Sequence, residues 1–243
     1  MDFTFGIITC PQTNHFIESI VQSIEKQNIP RYEILIIGTI TPHVNMSEHV
    51  KIIPFDESIY PGWISKKKNM ITENAKYENI VFLHDYVGFC DGWYDGFLKF
   101  GSKFDVLSNV IHDMNGNRFR DWNINKHFMQ GLILNNGARP HPIVGAWDEW
   151  IMDYNRHIPI DPVVYNPNRG TLLDYDTDTC NLQKYIYLSG AYWVAKRSVM
   201  QEYRLCESLL HCQGEDVEWC QRVREKYTFS FNPWSKVSLL KRR

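Results

Sequence analysis

Residues 66–88, KKKNMITENAKYENIVFLHDYVG, gather the side chains best suited to chemistry. Val81, Phe82 and Leu83 form a short apolar run, and His84, Asp85 and Tyr86 follow at once. In open α/β sheets, ligands collect beyond the carboxyl ends of the strands, so a strand ending here would hold Asp85 within reach of a metal or substrate. Just upstream, Lys66, Lys67, Lys68 and Asn69 open a helix. Ammonium groups and a helix N-terminus near a carboxylate suit a phosphate together with a divalent cation. Such a cation takes one or two carboxylates plus substrate phosphates, which makes Asp85 a candidate ligand for Mg²⁺ or Mn²⁺; an aspartate in this place equally closes a turn. Successive helical residues lie about 100° apart. One or two of the three lysines can therefore face a pocket, and the rest form a solvated face.

A second acidic group stands far downstream, where Glu215 and Asp216 open a helix after Gly214. Either could act as a general base toward a hydroxyl, and both are also stabilising in a first helical turn. Asp56, after a short strand, could accept a hydrogen bond from a base or ribose, or serve its own loop. Trp122, Trp147, Trp150 and Trp193 could stack on sugar rings, or pack in the core. His211 reads as structural rather than catalytic, and the six cysteines show no CxxC pair or zinc-site spacing.

The chain of 243 residues can bury a substantial core, and its net charge of −2 does not call for a nucleic-acid surface. No stretch approaches the ~18 apolar residues of a membrane span, and the N-terminus lacks the basic region of a secretory signal. The cysteines then read as reduced thiols and the setting as cytoplasmic; the sequon at Asn45 reads as chance.

Strands are expected at 3–10, 32–37, 51–55 and 79–83, with helices from Thr13 or Asn14 to about 27 and over 65–76. Pro54 predicts an edge position or a strand end for the third strand. This β-α-β-β-α-β order of apolar strands implies a mostly parallel sheet covered on both faces. A short helix begins at 92–97 and a strand covers 105–112. Residues 113–178 have weak periodicity and read as an irregular functional segment. A strand with a break at Gly190 is expected over 185–195, helices over 197–203 and 214–227, and a last short strand over 229–231.

Taken in order, these pieces resemble the GT-A-fold glycosyltransferases, specifically the inverting, family 2-like group. The opening FTFGIITCPQTN is similar to that family's first strand and nucleotide-facing loop, Lys68-Asn69 to its basic residue followed by Asn, and Phe82-Leu83-His84-Asp85-Tyr86 stands at its Asp-x-Asp metal motif. Gly214-Glu215-Asp216-Val217-Glu218 resembles the motif that carries the catalytic base, and Tyr187-Leu188-Ser189-Gly190-Ala191 the segment lining the acceptor side. The resemblance implies one α/β domain over 1–243. Its mixed, mostly parallel, Rossmann-like sheet is flanked by helices; residues 1–112 bind the donor and 113–243 supply the acceptor and catalytic half. It implies Asp216 as the base with Glu215 beside it, and Thr9, Pro11, Asp56, Lys66, Lys68 and Asn69 around the nucleotide sugar. Asp85 and His84 fall to a Mn²⁺ or Mg²⁺ ion, and Gly190, Trp122 and Trp193 to the acceptor side. The implied partners are a UDP-linked donor and a glycan, protein or lipid-linked acceptor.

Several positions depart from the family pattern. The metal motif holds one aspartate: depending on alignment, Asp85 fills its middle or its final position, and His84 either takes the first acidic slot as a ligand or packs. The second strand ends Ile36-Ile37-Gly38-Thr39, without the aspartate that reads the base in many members, which leaves that task to Asp56. No histidine follows His211, so Lys236 or the terminal basic residues would neutralise a diphosphate. The Gln-x-x-Arg-Trp motif is absent, which implies a non-processive enzyme. An inactive nucleotide- or glycan-binding module is the alternative from another class. A sugar nucleotidyltransferase is disfavoured because Cys10-Pro11-Gln12-Thr13 is neither glycine-rich nor basic.

Overall fold

The computed structural model describes residues 1–11, 14–40, 47–125, 170–180, 183, 186–209 and 214–241. The N-terminal strands are β1 (Phe3–Ile8), β2 (Tyr32–Ile37), β3 (Val50–Ile53), β4 (Asn79–His84) and β5 (Val87–Phe89). They are followed by β6 (Val106–His112), β7 (Asn123–Asn125), β8 (Gly170–Leu172), β9 (Ile186–Tyr187), β10 (Tyr192–Lys196) and β11 (Phe229–Leu239). The helices are α1 (Ile17–Glu25), α2 (Ile64–Asn74), α3 (Trp93–Phe100), α4 (Arg197–Glu202) and α5 (Glu215–Val223).

An eight-stranded sheet in the order β3-β2-β1-β4-β10-β6-β11-β5 forms the body of the molecule. Its pairings are parallel from β3 to β4 and between β6 and β11; β10 and β5 run against their neighbours. The expected mixed, mostly parallel α/β sheet is thus observed.

The period of two along each strand divides the core. Phe3, Phe5 and Ile7 of β1 and Val81 and Leu83 of β4 pack on α1 and α3, whereas Ile80 and Phe82 pack on the face of α2, α4 and α5. Ile17, Ile20, Val21 and Ile24 form the buried stripe of α1. Its start differs from expectation. A 3₁₀ turn (Asn14–Phe16) leads in, no side chain caps the helix, and the Asn14 amide donates to the Thr39 carbonyl at 3.3 Å. Thr13 lies outside the described residues.

Gly6 faces α2 so closely that a Cβ there would lie 2.3 Å from Ile71 Cγ2. Gly6→Ala is therefore expected to lower stability by about 1–3 kcal/mol, the usual cost of overpacking. Urea unfolding would show this as a lower midpoint at unchanged slope.

β3 is the edge strand, and Pro54 falls just past its end, where a missing N–H costs nothing. Three expectations are corrected. The last strand runs through Leu239 rather than stopping at Phe231, because a register shift between Asn232 and Lys236 lets Pro233 sit in a bulge. Residues 185–195 hold two strands in different sheets, β9 and β10, separated at Ser189-Gly190. The segment 113–178 contributes β7 and β8, which join β9 in a three-stranded sheet of order β8-β7-β9. Among the described residues, no helix is long and apolar enough to cross a membrane.

Candidate active site

The parallel register of β1 and β4 pairs Ile8 with His84, so Thr9 and Asp85 leave the sheet side by side. The Asp85 N–H donates to the Ile8 carbonyl at 3.2 Å, and the Thr9 hydroxyl donates to Asp85 Oδ2 at 2.7 Å. Asp85 is 3 % exposed. It opens into a cleft of about 360 Å³ lined by Thr9, Cys10, Pro61, Gly62, Lys67, His84, Tyr86 and Lys241, with Ile8 and Ile64 at its base. Gly38 (φ +141°) follows the neighbouring strand β2, and a Cβ there would come 2.3 Å from the Thr9 carbonyl oxygen. Only glycine allows this close approach.

The lysine run on α2 divides three ways, as the helical period requires. Lys66 turns from the cleft and pairs with Glu207 at 3.1 Å. Lys67 faces the cleft, donates to the Thr9 carbonyl at 2.7 Å and pairs with Glu57. Lys68 is fully buried on the other side, where its ammonium donates to the Gly190 carbonyl at 2.9 Å and lies 3.6 Å from Glu215 Oε1. Asn69 clamps Leu205 through both its amide and carbonyl, at 2.9 and 3.0 Å, and also reaches Glu207. Lys66 and Asn69 thus fasten the loop after α4 rather than face the cleft, because their faces of α2 point at that loop.

Of the three lysines the resemblance assigns Lys66 and Lys68 to the donor, whereas the one that faces the cleft is Lys67, on the helical stripe of Ile64 and Ile71. Lys241, the terminal basic residue among those described, lines the cleft, with its ammonium 4.1 Å from the centre of the Tyr86 ring. Lys236 is exposed on β11, away from the cleft lining. Asp56 is also outside that lining. It is exposed and accepts hydrogen bonds from the Ser58 N–H and hydroxyl at 2.9 and 2.6 Å, which hold its carboxyl below the usual range. Its neighbour Glu57 turns inward instead, toward Lys67 and the Gly62 N–H. Pro11 is exposed and does not line the cleft.

Among the described residues, no three His, Cys, Asp or Glu side chains converge as a metal cage. The donors at the cleft are the Asp85 carboxylate and the half-buried His84 ring beside it. This set fits a hard divalent cation that takes most of its oxygen ligands from a diphosphate.

Asp216 lies in the first turn of α5, after Gly214 (φ 72°). Its Oδ2 accepts the Gly190 N–H at 2.6 Å and its Oδ1 the Val217 N–H at 2.9 Å. Burial pushes its carboxyl up to about 6, and the charge of Glu215 adds to that shift; Lys68, the Gly190 N–H and Arg120 oppose it. A carboxyl so tuned can hold and release a proton near neutral pH. Glu215 is 7 % exposed and faces Lys68. Glu218 pairs with Arg222 one turn on, a plain helix contact.

Gly190 joins the two ends of the site. Its N–H holds Asp216, its carbonyl holds Lys68, and the carbonyl of Ala191 accepts the N–H of His84 at 3.1 Å. Trp122 and Trp193, expected near the acceptor, are core residues with 3 % and 1 % exposure. Trp193 stacks between Phe82 and Trp219, and Trp122 packs on Phe231. Neither ring has a free face for a sugar. Trp147, Trp150, His211 and Cys212 lie outside the described residues.

No family profile and no curated protein matches the sequence. The structure is similar to residues 1–349 of TarS from S. aureus, with a TM-score of 0.57 at 13% identity over 97% of this chain and 60% of that one. TarS residues 1–349 solved with UDP-GlcNAc give 0.58 at 14% identity, covering 100% of this chain and 59% of that one. GalNAc-T7, solved with UDP, GalNAc and Mn²⁺, gives 0.63 at 13% identity, with 100% of this chain and 43% of that one covered. The chain therefore spans well under two thirds of GalNAc-T7 and about 60% of the TarS fragment. Both neighbours are GT-A-type glycosyltransferases, and the chain has the GT-A fold.

Proposed function

We propose that this protein transfers a sugar from a UDP-linked donor to an acceptor hydroxyl with inversion, one residue at a time, as a family 2-like hexosyltransferase. The observation that carries this reading is the hydrogen-bonded Gly190-Ala191 segment. It ties a base-tuned carboxylate, Asp216, to the cleft at the carboxyl ends of β1 and β4. Asp216 accepts the acceptor's proton while the acceptor oxygen bonds to the anomeric carbon and the bond from that carbon to the diphosphate breaks. UDP leaves from the opposite face of the sugar. Thr9 orients Asp85, and Lys67 and Lys241 bring positive charge to the diphosphate side. A Mn²⁺ or Mg²⁺ ion held by Asp85, with His84 beside it, would stabilise the charge on the departing diphosphate when bound.

The choice of UDP follows the ligands of the fold neighbours, TarS solved with UDP and with UDP-GlcNAc and GalNAc-T7 with UDP. Residues 1–112 form the donor half and 113–243 the acceptor and catalytic half, with Lys241 crossing back to the donor cleft. A cytoplasmic setting accords with reduced cysteines, and none of the described cysteines is paired in a disulfide.

A thermal-shift series with UDP, GDP, CDP and dTDP, each with and without Mn²⁺, tests the reading. A ligand at ~100 times its dissociation constant adds about 2.7 kcal/mol to stability. UDP is expected to give the largest shift, to give more with Mn²⁺, and to lose the Mn²⁺ increment in Asp85→Asn. No shift with any nucleotide would remove the donor site. The single aspartate in the metal motif favours a second reading, a binding module without transfer. Slow UDP release from UDP-sugar without acceptor argues against that module.

A further inference from the structure

Lysine is among the residues least often found fully buried without a partner, yet Lys68 has no exposed surface. Its ammonium lies 4.2 Å from the centre of the Trp193 ring, 2.9 Å from the Gly190 carbonyl oxygen and 3.6 Å from Glu215 Oε1. It is not among the residues lining the donor cleft. We propose that Lys68 is a positioning residue for the base. It is the buried counter-charge that lets Asp216 exist as a carboxylate beside Glu215, and it holds the carbonyl of the residue whose N–H binds Asp216.

The geometry supports both parts. The Gly190 residue is gripped on both sides, by Lys68 at its carbonyl and by Asp216 at its N–H. Ionising Asp216 places a second negative charge next to the buried Glu215, and like charges at such a site repel. Among the described residues, the charged and titratable groups around Asp216 are Glu215 and Cys220 from α5, Lys68 from α2, and Arg120 from the segment between β6 and β7. Lys68 also reaches Glu215 and the Gly190 carbonyl. The helix position read from sequence as a donor contact thus serves the opposite end of the site. This inference rests on the reading of Asp216 as the proton acceptor.

The test compares Lys68→Met, which keeps an apolar stem against Trp193, with Lys68→Arg, which keeps the charge. In Lys68→Met the acid limb of transfer should move up by about one pH unit, so that activity lost at pH 7 returns at higher pH. UDP affinity should stay within a few-fold, and Lys68→Arg should keep the limb near its wild-type place. Glu215→Gln should move the limb the other way, which preserves the test if Lys68→Met does not fold. Carbon-13 carboxyl NMR on aspartate-labelled protein, assigned with Asp216→Asn, reads the same titration without any donor or acceptor. A protein with no transferase activity but a shifted Asp216 titration would fail the functional reading and keep the counter-charge. An unmoved titration in both Lys68→Met and Glu215→Gln would overturn the proposal. A tenfold or greater loss of UDP affinity with the titration unmoved would return Lys68 to the donor diphosphate.

Discussion

Asp216→Asn is expected to lower transfer by about 10²–10⁴-fold, the usual contribution of a positioned base, while UDP affinity stays within a few-fold. The amide keeps the shape of the side chain and cannot take the acceptor's proton. The wild-type rate should fall on the acid side with a limb near 6, where burial and Glu215 place the Asp216 carboxyl. The sign for stability is opposite. A carboxyl whose folded value lies above its ordinary 3.8 binds its proton more tightly in the folded state. Its contribution is complete below about 4 and is lost as pH rises through about 6. Denaturation between pH 4 and 7 should therefore show a fall in stability with pH that Asp216→Asn removes. A variant that retains transfer, or that loses UDP binding together with it, would take the base role from Asp216.

Gly190→Ala should have the next largest effect. A Cβ at this position would lie 2.7 Å from Asp216 Oδ2 and 3.3 Å from Glu215 Oε1. The carboxylate cannot swing away freely, because the Gly190 and Val217 N–H groups hold both its oxygens. Gly190 does not occupy the left-handed region, so alanine adds steric conflict and no backbone strain. Displacement of a catalytic group by about 1 Å costs about 10²-fold, and that is the expected loss in kcat. Circular dichroism and UDP-induced thermal shift should be close to wild-type. An unchanged kcat would mean that the position of Asp216 does not matter to the reaction.

The two variants also separate the halves of the site. Both act on the base and spare the cleft at Thr9 and Asp85, so UDP binding is their common control. Asp85→Asn acts at the other end, on the Mn²⁺ increment. A pattern in which all three variants lose UDP binding alike would indicate a general loss of fold rather than two connected functional ends.

Much of the fold was legible in the sequence. Unbroken apolar runs such as Ile34, Leu35, Ile36 and Ile37 read as strands buried on both faces, and α1 shows its stripe directly. The positions of Asp85 at the end of β4 and of Glu215 and Asp216 at the start of α5 followed from local pattern, because strand ends and helix starts are local events. β11 extends well past the expected 229–231 because a bulge absorbs Pro233, and whether a bulge can do so depends on the neighbouring strand.

The direction of each side chain around the site was settled only by tertiary packing. Three adjacent lysines carry the same chemistry, and the sequence cannot say that Lys66 meets Glu207, Lys67 the cleft and Lys68 the peptide of Gly190. That depends on how α2 is rotated against β1, which Ile71 fixes by filling the space above Gly6. Trp193 looked like a sugar platform until Phe82 and Trp219 were seen to cover it. Composition and periodicity determine which elements form and where their reactive residues fall along the chain. The pairing of Asp216 with Gly190, and of Lys68 with both Gly190 and Glu215, joins residues far apart in sequence. Such contacts follow from long-range packing, which local pattern does not encode.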